Sequence, residues 1–229
     1  MNIYVNKSGQ QYGPYTVEQL RAHLRQGSFA PSDYACQAGG TEWVSVEQIL
    51  QTATPSAFPE ISSQHYTSNE LHLSDKRITD LEPLKDWTNL EMLHLQKNQI
   101  SDLSPLKGLT NLKSLFLNEN QISDLSSLKY LTNLKTLILG ENLISDLSPL
   151  KGLSNLEELC LSENQISDLS PLKGLTNLKS LWLEENQISD FAPLAGIMNL
   201  ERLHLDSNPI PEDKEAILNK ALPNCTIHF

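Results

Sequence analysis

A 22-residue period governs the chain from Leu71 to Ile210. Seven Leu-x-Leu segments follow one another at this spacing without insertion or deletion, and they begin at Leu71, Leu93, Leu115, Leu137, Leu159, Leu181 and Leu203. A single unit of this length cannot bury its own apolar side, so neighbouring units stack and bury it together. The period therefore predicts a solenoid with one repeat in each rung.

Each rung follows the pattern L-x-x-L-x-L-x-x-N-x-I-x-D-L-x-P-L-x-x-L-x-N. Two apolar positions are nearly uniform: Ile78, Ile100, Ile122, Ile144, Ile166, Ile188 and Ile210 form one column, and Leu84, Leu106, Leu128, Leu150, Leu172 and Leu194 form another. The Leu-x-Leu alternation has a period of two, which predicts one short strand in each rung with both leucines in the core. Parallel neighbours then lie roughly 4.8 Å apart.

Polar positions of the repeat have structural roles. An asparagine follows each strand, at Asn98, Asn120, Asn142, Asn164, Asn186 and Asn208. Because a side-chain amide donates and accepts at once, these residues predict an asparagine ladder that bonds one rung to the next. The Asp-Leu-Ser-Pro-Leu segments, such as 102–106, predict a short 3₁₀ turn with the preceding Ser as its cap.

This repeat resembles the 22-residue leucine-rich repeats of bacterial internalins and of the related phosphatase-regulator class. The resemblance covers about residues 68–229. It implies an α/β fold, a right-handed leucine-rich repeat solenoid with a parallel β-sheet on its concave face and short 3₁₀ or helical turns on its convex face. Repeats of this kind are scaffolds for many partners, so the resemblance specifies the fold more closely than the function.

The first 51 residues do not carry the repeat. Thr16 and Gln19 form a capping-box pattern before a helix predicted over Val17–Arg25, and Gly27 ends that helix. Short strands are predicted at 3–5 and 34–36, and a second helix at 45–50. The segments GQQYGPY at 9–15 and GGTEW at 39–43 resemble a bacterial GYF-like domain over about residues 2–51. The resemblance implies a small α+β domain.

Eukaryotic GYF domains bind proline-rich peptides on an aromatic platform. The resemblance therefore implies a peptide-binding site at Tyr12, Pro14 and Tyr15, which match the Gly-Pro-aromatic motif. At two further platform positions the chain has His23 and Ser28 instead of aromatic residues. We therefore predict weak or no binding of proline-rich peptides. The alternative is that Tyr12, Tyr15 and Trp43 build the core of a small domain.

Four segments are predicted along the chain. The GYF-like domain spans 1–51, a linker or N-terminal cap spans 52–67, the seven rungs span 68–210, and a C-terminal cap spans 211–229. The second segment is rich in Ser, Thr and Pro, which is typical of a linker. Its Phe58 and Ile61 offer the alternative of covering the open end of the first rung. The last segment predicts a helix followed by a strand.

Charge and cysteine content narrow the functional classes. With 17 basic and 28 acidic side chains, the formal net charge is −11, which argues against nucleic-acid binding and anionic membranes. No signal-peptide pattern is present, and no run approaches the roughly 20 apolar residues of a membrane span. Cys36, Cys160 and Cys225 lack the spacing of a metal site or disulfide framework. We expect reduced thiols in a bacterial, cytoplasmic protein without membrane insertion.

Function is predicted on the concave face. The side chain between the two leucines of each strand points to that face; this central column consists of His72, His94, Phe116, Ile138, Cys160, Trp182 and His204. The column varies, and folding does not need its aromatic residues, which are favoured as interface anchors. Beside it runs an acidic strip made of Glu119, Glu141, Glu163 and Glu185. We predict that the acidic strip and the central column from His94 to His204 bind a protein partner, with basic character opposite the strip.

Catalysis and metal binding have little support in the sequence. It shows no Ser-His-Asp arrangement, phosphate loop or Cys/His metal cluster. His72 and His94 lie on adjacent rungs, but two ligands are too few for a tight site, so we predict neither metal nor cofactor. The predicted function is a non-enzymatic protein-interaction module. Two alternatives stay open, a regulatory subunit of an enzyme such as a phosphatase and a structural spacer.

Overall fold

The computed structural model describes residues 2–25, 27–52 and 69–229. The chain divides into two compact units, Met1–Ala57 and Phe58–Phe229, and each is described by itself. Residues 53–68 lie outside the described residues, and they include most of the predicted linker with Phe58 and Ile61. The domain boundaries given above therefore stay predictions.

The N-terminal unit is a four-stranded antiparallel sheet with two helices. Strands β1 to β4 are Ile3–Lys7, Gln10–Tyr15, Tyr34–Gln37 and Val44–Ser45, and helices α1 and α2 are Val17–Arg25 and Val46–Thr52. The strand order is β2-β1-β3-β4, and each neighbouring pair is antiparallel. The core includes Ile3, Val5, Leu20, Phe29 and Val46. The predicted small α+β domain is confirmed, with α1 at its predicted bounds.

Both helices of this unit begin at a capping box. The backbone N–H of Thr16 donates to Gln19 Oε1 at 2.9 Å, and the N–H of Gln19 donates to Thr16 Oγ1 at 3.2 Å. Ser45 and Gln48 exchange the equivalent bonds, both at 3.1 Å. Each box satisfies backbone N–H groups that the first helical turn leaves without partners. The first box was predicted from the sequence, whereas the second was not.

The repeats form a parallel sheet of eight strands. Strands β5 to β12 are Glu70–His72, Met92–His94, Ser114–Phe116, Thr136–Ile138, Glu158–Cys160, Ser180–Trp182, Arg202–His204 and Thr226–His228. Strands that are consecutive in the sequence are neighbours in the sheet. Residues one period apart pair in register, as Leu93 does with Leu115. The solenoid predicted from the 22-residue period is confirmed.

The apolar columns form one continuous core along the solenoid. Leu93 and Leu95 are fully buried, as are the corresponding leucines of the rungs that follow. The isoleucine column is buried from Ile78 to Ile188, whereas Ile210 in the last rung is half-buried. Full burial of one such side chain contributes about 1.5–3 kcal/mol. Stability therefore comes from repetition of the same contacts rather than from any single contact.

The asparagine ladder is confirmed atom by atom. Asn142 Nδ2 donates to Leu139 O in its own rung and to Leu117 O in the preceding rung, both at 3.0 Å. Its Oδ1 accepts the backbone N–H of Ile122, also at 3.0 Å. The same three kinds of bond are made by Asn98, Asn120, Asn164, Asn186 and Asn208.

A 3₁₀ turn follows each of the strands β5 to β10, as predicted. The turns are Glu82–Leu84, Ser104–Gly108, Leu128–Tyr130, Ser148–Leu150, Ser170–Gly174 and Ala192–Gly196. The predicted serine cap is wrong, because Ser104 is itself the first residue of its turn. Its N–H instead donates to Asp102 Oδ1 at 2.8 Å. A charged carboxylate accepts such a bond more strongly than a neutral hydroxyl does.

A second asparagine column, not predicted from the sequence, precedes the strands. Asn133 Nδ2 donates to Thr110 O of the preceding rung at 2.8 Å. Equivalent bonds are made by Asn111, Asn155, Asn177 and Asn199. These residues are exposed, so each bond contributes less than a bond of the buried ladder.

Helix α3, Glu212–Ala221, and strand β12 close the C-terminal end of the repeats. Leu218 and Leu222 are each 3% exposed and belong to the same core as the leucines of the rungs. The predicted terminal helix and strand are therefore both present. In the described parts of the chain, no helix has the length and apolar character that crossing a membrane requires.

Candidate functional site

The central column forms an unbroken row on the concave face. In-register pairing places neighbours side by side in the order His72, His94, Phe116, Ile138, Cys160, Trp182 and His204. The row continues to His228, which pairs with His204. His228 lies outside the 22-residue period, because it follows His204 by 24 residues and the cap helix replaces the usual turn, so the period did not predict it. The structure thus assembles every predicted residue of the column.

Three rings stack at the N-terminal end of the row. The centroids of His72 and His94 are 4.2 Å apart with 15° between the ring planes, and those of His94 and Phe116 are 4.4 Å apart with 3°. This stacking leaves 17% of the His94 side chain exposed. Burial lowers the pKa of His94, and the nearby His72 lowers it further, while Glu70 acts in the opposite direction. His94 is therefore neutral at neutral pH.

A second stack lies at the C-terminal end. The centroids of Trp182 and His204 are 6.2 Å apart with 20° between the planes, and those of His204 and His228 are 4.4 Å apart with 14°. Glu184 lies beside this stack, with its Oε1 3.7 Å from His204 Nδ1. Phe116 and Trp182 are half-buried because their neighbours in the row cover part of each ring. They present one face or edge instead of a freely exposed ring.

The middle of the row carries smaller side chains. Ile138 and Cys160 occupy the two rungs between the stacks, and Gly140 beside them has no side chain. The Cys160 thiol lies 3.6 Å from the Ser162 hydroxyl. Phe116 and Trp182 are three strand spacings apart, or roughly 14 Å. The concave face therefore consists of two ring stacks with a lower, mostly apolar stretch between them.

The acidic strip lies at a position with unusual backbone geometry. The φ angles of Glu119, Glu141, Glu163 and Glu185 are 57°, 55°, 54° and 52°, all in the left-handed region. Gly, Asn and Asp adopt this region more readily than Glu does, so the backbone does not explain the choice of glutamate. Burial raises the pKa of Glu141, and the like charges of Glu119 and Glu163 raise it further. Within the strip, Glu141 is therefore the residue at which desolvation and neighbouring like charges oppose the charged form.

Basic side chains compensate the strip at one end only among the described contacts. Lys97 Nζ lies 3.3 Å from Glu119 Oε1. The lysines that begin the strands pair elsewhere: Lys135 and Lys179 both contact Glu157, at 3.1 and 2.6 Å. These hydrogen bonds, first that of Lys179 and then that of Lys135, lower the pKa of Glu157. Among the described contacts, these two lysines therefore form no ion pair with the strip.

The N-terminal unit gathers its aromatic residues around Phe29. The ring centroid of Phe29 lies 5.6 Å from that of Tyr12, 5.7 Å from that of Tyr15 and 5.4 Å from that of His23. Phe29, and not the preceding Ser28, thus supplies the aromatic ring after α1, and it is only 6% exposed. Tyr12 and Tyr15 pack against the core and remain half-buried.

Two other predicted residues of this unit are exposed. Pro14 is exposed beside the tyrosines. Trp43 is 38% exposed and does not belong to the described core, so the expectation that it builds the core with the two tyrosines is wrong in that part. The structure therefore leaves Tyr12, Pro14 and Tyr15 together at the surface, next to a buried phenylalanine.

Comparison with known proteins agrees with these geometries. The family described as "Leucine Rich repeats (2 copies)" matches residues 69–224 in overlapping segments, and the family "GYF domain 2" matches residues 4–51. Internalin C2 of Listeria monocytogenes has a similar structure, with a TM-score of 0.64 and 40% identity over 69% of this chain and 70% of that chain. No curated protein matched the chain.

Two further solved structures are similar. An internalin of the same organism, InlF, gives a TM-score of 0.66 with 29% identity over 93% of this chain, which spans 54% of that protein. A leucine-rich repeat protein of Leptospira interrogans gives a TM-score of 0.58 with 29% identity over 70% of this chain and 48% of that chain. The chain therefore spans about half the length of these two proteins.

Proposed function

Because the chain belongs to the leucine-rich repeat family, we propose that it is a non-enzymatic interaction module that binds a protein partner on its concave face. The observation that carries this proposal is the pair of ring stacks, one ending at Phe116 and the other beginning at Trp182. The inward positions of the repeat are uniform, yet the outward position varies and holds large rings. Such rings, set in a surface that folding does not require, are typical interface anchors.

The spacing of the two stacks favours an extended contact. A partner segment that reaches both Phe116 and Trp182 must also cross Ile138 and Cys160, whose smaller side chains leave room for it. The half-buried rings are already held by their neighbours, so they lose little conformational freedom when a partner docks. Two aromatic anchors with smaller side chains between them fit a partner that presents a continuous segment of chain or the edge of a folded domain.

The acidic strip supports a basic partner segment. Desolvation first, and then the like charges of Glu119 and Glu163, raise the pKa of Glu141, and a left-handed backbone gives no reason for choosing glutamate there. A segment rich in Lys or Arg relieves this repulsion when it binds. Charge complementarity of this kind raises the association rate more than the final affinity. We propose that rungs three to six meet such a segment.

We also propose a cellular compartment for the protein and a role for the surface of its N-terminal unit. The three cysteines are free thiols, which suits a reducing compartment such as a bacterial cytoplasm. In the N-terminal unit, Tyr12, Pro14 and Tyr15 form a small surface, but its neighbouring Phe29 is buried. We propose that this surface binds proline-rich peptides weakly at most.

The test identifies the partner through the concave face and then measures its affinity. A photo-crosslinking amino acid at Ile138 captures whatever lies between the stacks, and mass spectrometry identifies it. With the purified partner, Phe116→Ala and Trp182→Ala should each weaken binding by about 2 kcal/mol or more, roughly 30-fold. Association should also slow as salt rises to physiological strength, where the screening length is about 8 Å.

The matched control is Tyr130→Ala. Tyr130 is a 51% exposed aromatic residue on a 3₁₀ turn, outside the sheet. Its removal should leave the affinity unchanged. If the double variant Phe116→Ala/Trp182→Ala stays folded and binds with the wild-type affinity, the proposal fails. A captured enzyme whose turnover changes on binding would favour the regulatory-subunit alternative.

A further inference from the structure

The N-terminal end of the concave face brings three potential metal ligands together. Glu70, His72 and His94 offer one carboxylate oxygen and two imidazole nitrogens, all within 4.8 Å of one another. Glu70 Oε1 lies 2.8 Å from His72 Nε2 and 3.6 Å from His94 Nε2. Two histidines alone had predicted no metal site. The structure adds Glu70 as a third donor.

The parallel sheet itself creates this cluster. His72 and His94 are paired residues of the neighbouring strands β5 and β6, so their imidazoles project side by side on the same face. Glu70 precedes His72 by two residues in β5, and alternation along a strand puts both on that face. The three donors therefore converge because of backbone register, without any special loop.

We propose that Glu70, His72 and His94 form a binding site for a divalent transition-metal ion of the Zn²⁺ class. Two imidazole nitrogens and one carboxylate oxygen suit Zn²⁺, whereas Mg²⁺ and Ca²⁺ prefer sites made of oxygen ligands. Three protein ligands complete a tetrahedral site with one position left for water or another donor. The inference does not depend on the proposed protein partner.

The distances from the carboxylate suit the ion, whereas the orientation of one imidazole has to change to hold it. Bonds of about 2.0–2.1 Å in a tetrahedral site separate neighbouring donor atoms by roughly 3.3 Å. The two distances from Glu70 Oε1 lie on either side of this value. The two imidazoles now stack with 15° between their planes, so one ring has to tilt to bring its nitrogen toward the ion. His72 is the ring with more room to turn, since 66% of its side chain is exposed against 17% of that of His94.

His94 supplies the fixed half of the site. Its ring is held between those of His72 and Phe116, at 4.2 and 4.4 Å. A ligand whose orientation is set by packing loses little freedom when the metal binds, so the site is partly preorganised. Binding of the ion would therefore require His72 to turn while His94 stays packed against Phe116.

The opposite end of the face provides a comparison. Glu184, His204 and Asp206 also lie within 4.8 Å of one another, but they offer a single imidazole with two carboxylates. Fewer nitrogen ligands make this set less suited to Zn²⁺. His228 stacks on His204 and belongs to neither cluster, which makes it a control of the same residue type on the same face.

The test uses the full chain without an affinity tag and with its thiols kept reduced by a non-coordinating phosphine. Calorimetric titration with ZnCl₂ should show saturable binding of about one ion per chain at the proposed site. His72→Gln, His94→Gln and Glu70→Gln should each weaken this binding by at least about tenfold. Loss of a residue that only orients a metal ligand costs about 10–100-fold in affinity, and loss of the ligand itself should cost no less. His228→Gln should bind like the wild type.

Imidazole NMR signals locate the ion independently. The resonances of His72 and His94 should shift together with the first equivalent of Zn²⁺, and MgCl₂ at the same concentration should leave them unchanged. If His94→Gln fails to fold, the exposed His72→Gln still tests the site. The proposal is overturned if Zn²⁺ affinity survives both His72→Gln and Glu70→Gln, or if His204→Gln abolishes the first binding event instead.

Discussion

One buried amide carries much of the connection between neighbouring rungs. Asn142 is 7% exposed, and it donates to Leu117 O and Leu139 O while accepting the N–H of Ile122. The carbonyls of Leu117 and Leu139 also accept bonds from the amides of Asn120 and Asn164, whereas the N–H of Ile122 has Asn142 as its one described partner. A buried backbone group without a partner costs about 1–3 kcal/mol. The residue type at this position is therefore set by hydrogen bonding.

Replacing this amide gives the first stability prediction. Asn142→Ala should lower the free energy of unfolding by about 2 kcal/mol or more, since the buried N–H of Ile122 loses its described partner and the bonds to Leu117 O and Leu139 O are lost as well. Asn133→Ala removes a single exposed bond to Thr110 O and should cost about 1 kcal/mol or less. Urea unfolding of both variants checks the contrast. Equal losses would show that the buried ladder has no special role.

At the scale of an element, the charged form of Glu141 in the acidic strip lowers the stability of the fold. The folded pKa of Glu141 is raised, so the folded state holds its proton more tightly than the unfolded state does. The carboxylate therefore opposes folding at high pH. That penalty is fully present above the folded pKa and disappears as the pH falls below the unfolded value, near 4.5.

The sign of this linkage predicts how Glu141→Gln behaves. The variant should be more stable than the wild type at pH 7, because a charge that is partly desolvated and repelled by its neighbours is gone. The difference should vanish below about pH 4, where Glu141 is neutral in both folded and unfolded states. Thermal unfolding across this pH range measures it. Glu163→Gln is a useful companion, and a variant less stable than wild type at pH 7 would contradict the electrostatic interpretation.

The C-terminal cap protects the last rung through one face of α3. Leu218 is 3% exposed, whereas the adjacent Ile217 is 61% exposed. Leu218→Ala should therefore cost about 2–5 kcal/mol, as typical buried leucine truncations do. Ile217→Ala should stay within about 0.5 kcal/mol of the wild type. Denaturant unfolding measures both variants, and the two substitutions remove the same number of atoms. A larger loss for Ile217→Ala than for Leu218→Ala would show that the buried face of α3 is assigned wrongly.

At the scale of the whole molecule, two units with different surfaces share one chain. The repeats present a long row of rings and an acidic strip, whereas the N-terminal unit presents a small surface at Tyr12, Pro14 and Tyr15. Residues 1–57 hold three basic and four acidic side chains, so ten of the eleven net negative charges lie in the unit with the repeats and favour a basic partner there. Recognition by the two surfaces should therefore be separable by mutation.

The N-terminal surface is expected to be the weaker of the two. Proline-rich peptides should shift the NMR signals around Tyr15 only slightly and without saturation. The reason is that Phe29 is buried and that His23 occupies a platform position where an aromatic residue is expected. Titration of the labelled full chain with a panel of such peptides measures this. Tight, saturable shifts that Tyr15→Ala removes would show that this unit is a true peptide-binding domain.

The sequence alone determined the architecture of the repeats. A constant 22-residue spacing fixes which residues become neighbours, because every rung adds one strand at the same place; Leu93 must then pair with Leu115, and Asn142 must reach the preceding rung. The same logic placed every residue of the central column in one row. These outcomes follow from backbone register, which periodicity encodes directly.

Only the tertiary structure decided which side chains touch. Lys135 and Lys179 both bind Glu157 between them, and Asp102 caps the turn that was assigned to Ser104. Trp43 remains exposed while Phe29 fills the core of its unit. Glu70 reaches the imidazoles of His72 and His94. Register specifies which residues are adjacent, but rotamers, side-chain length and competition among partners settle the contacts, and a linear pattern does not contain that information.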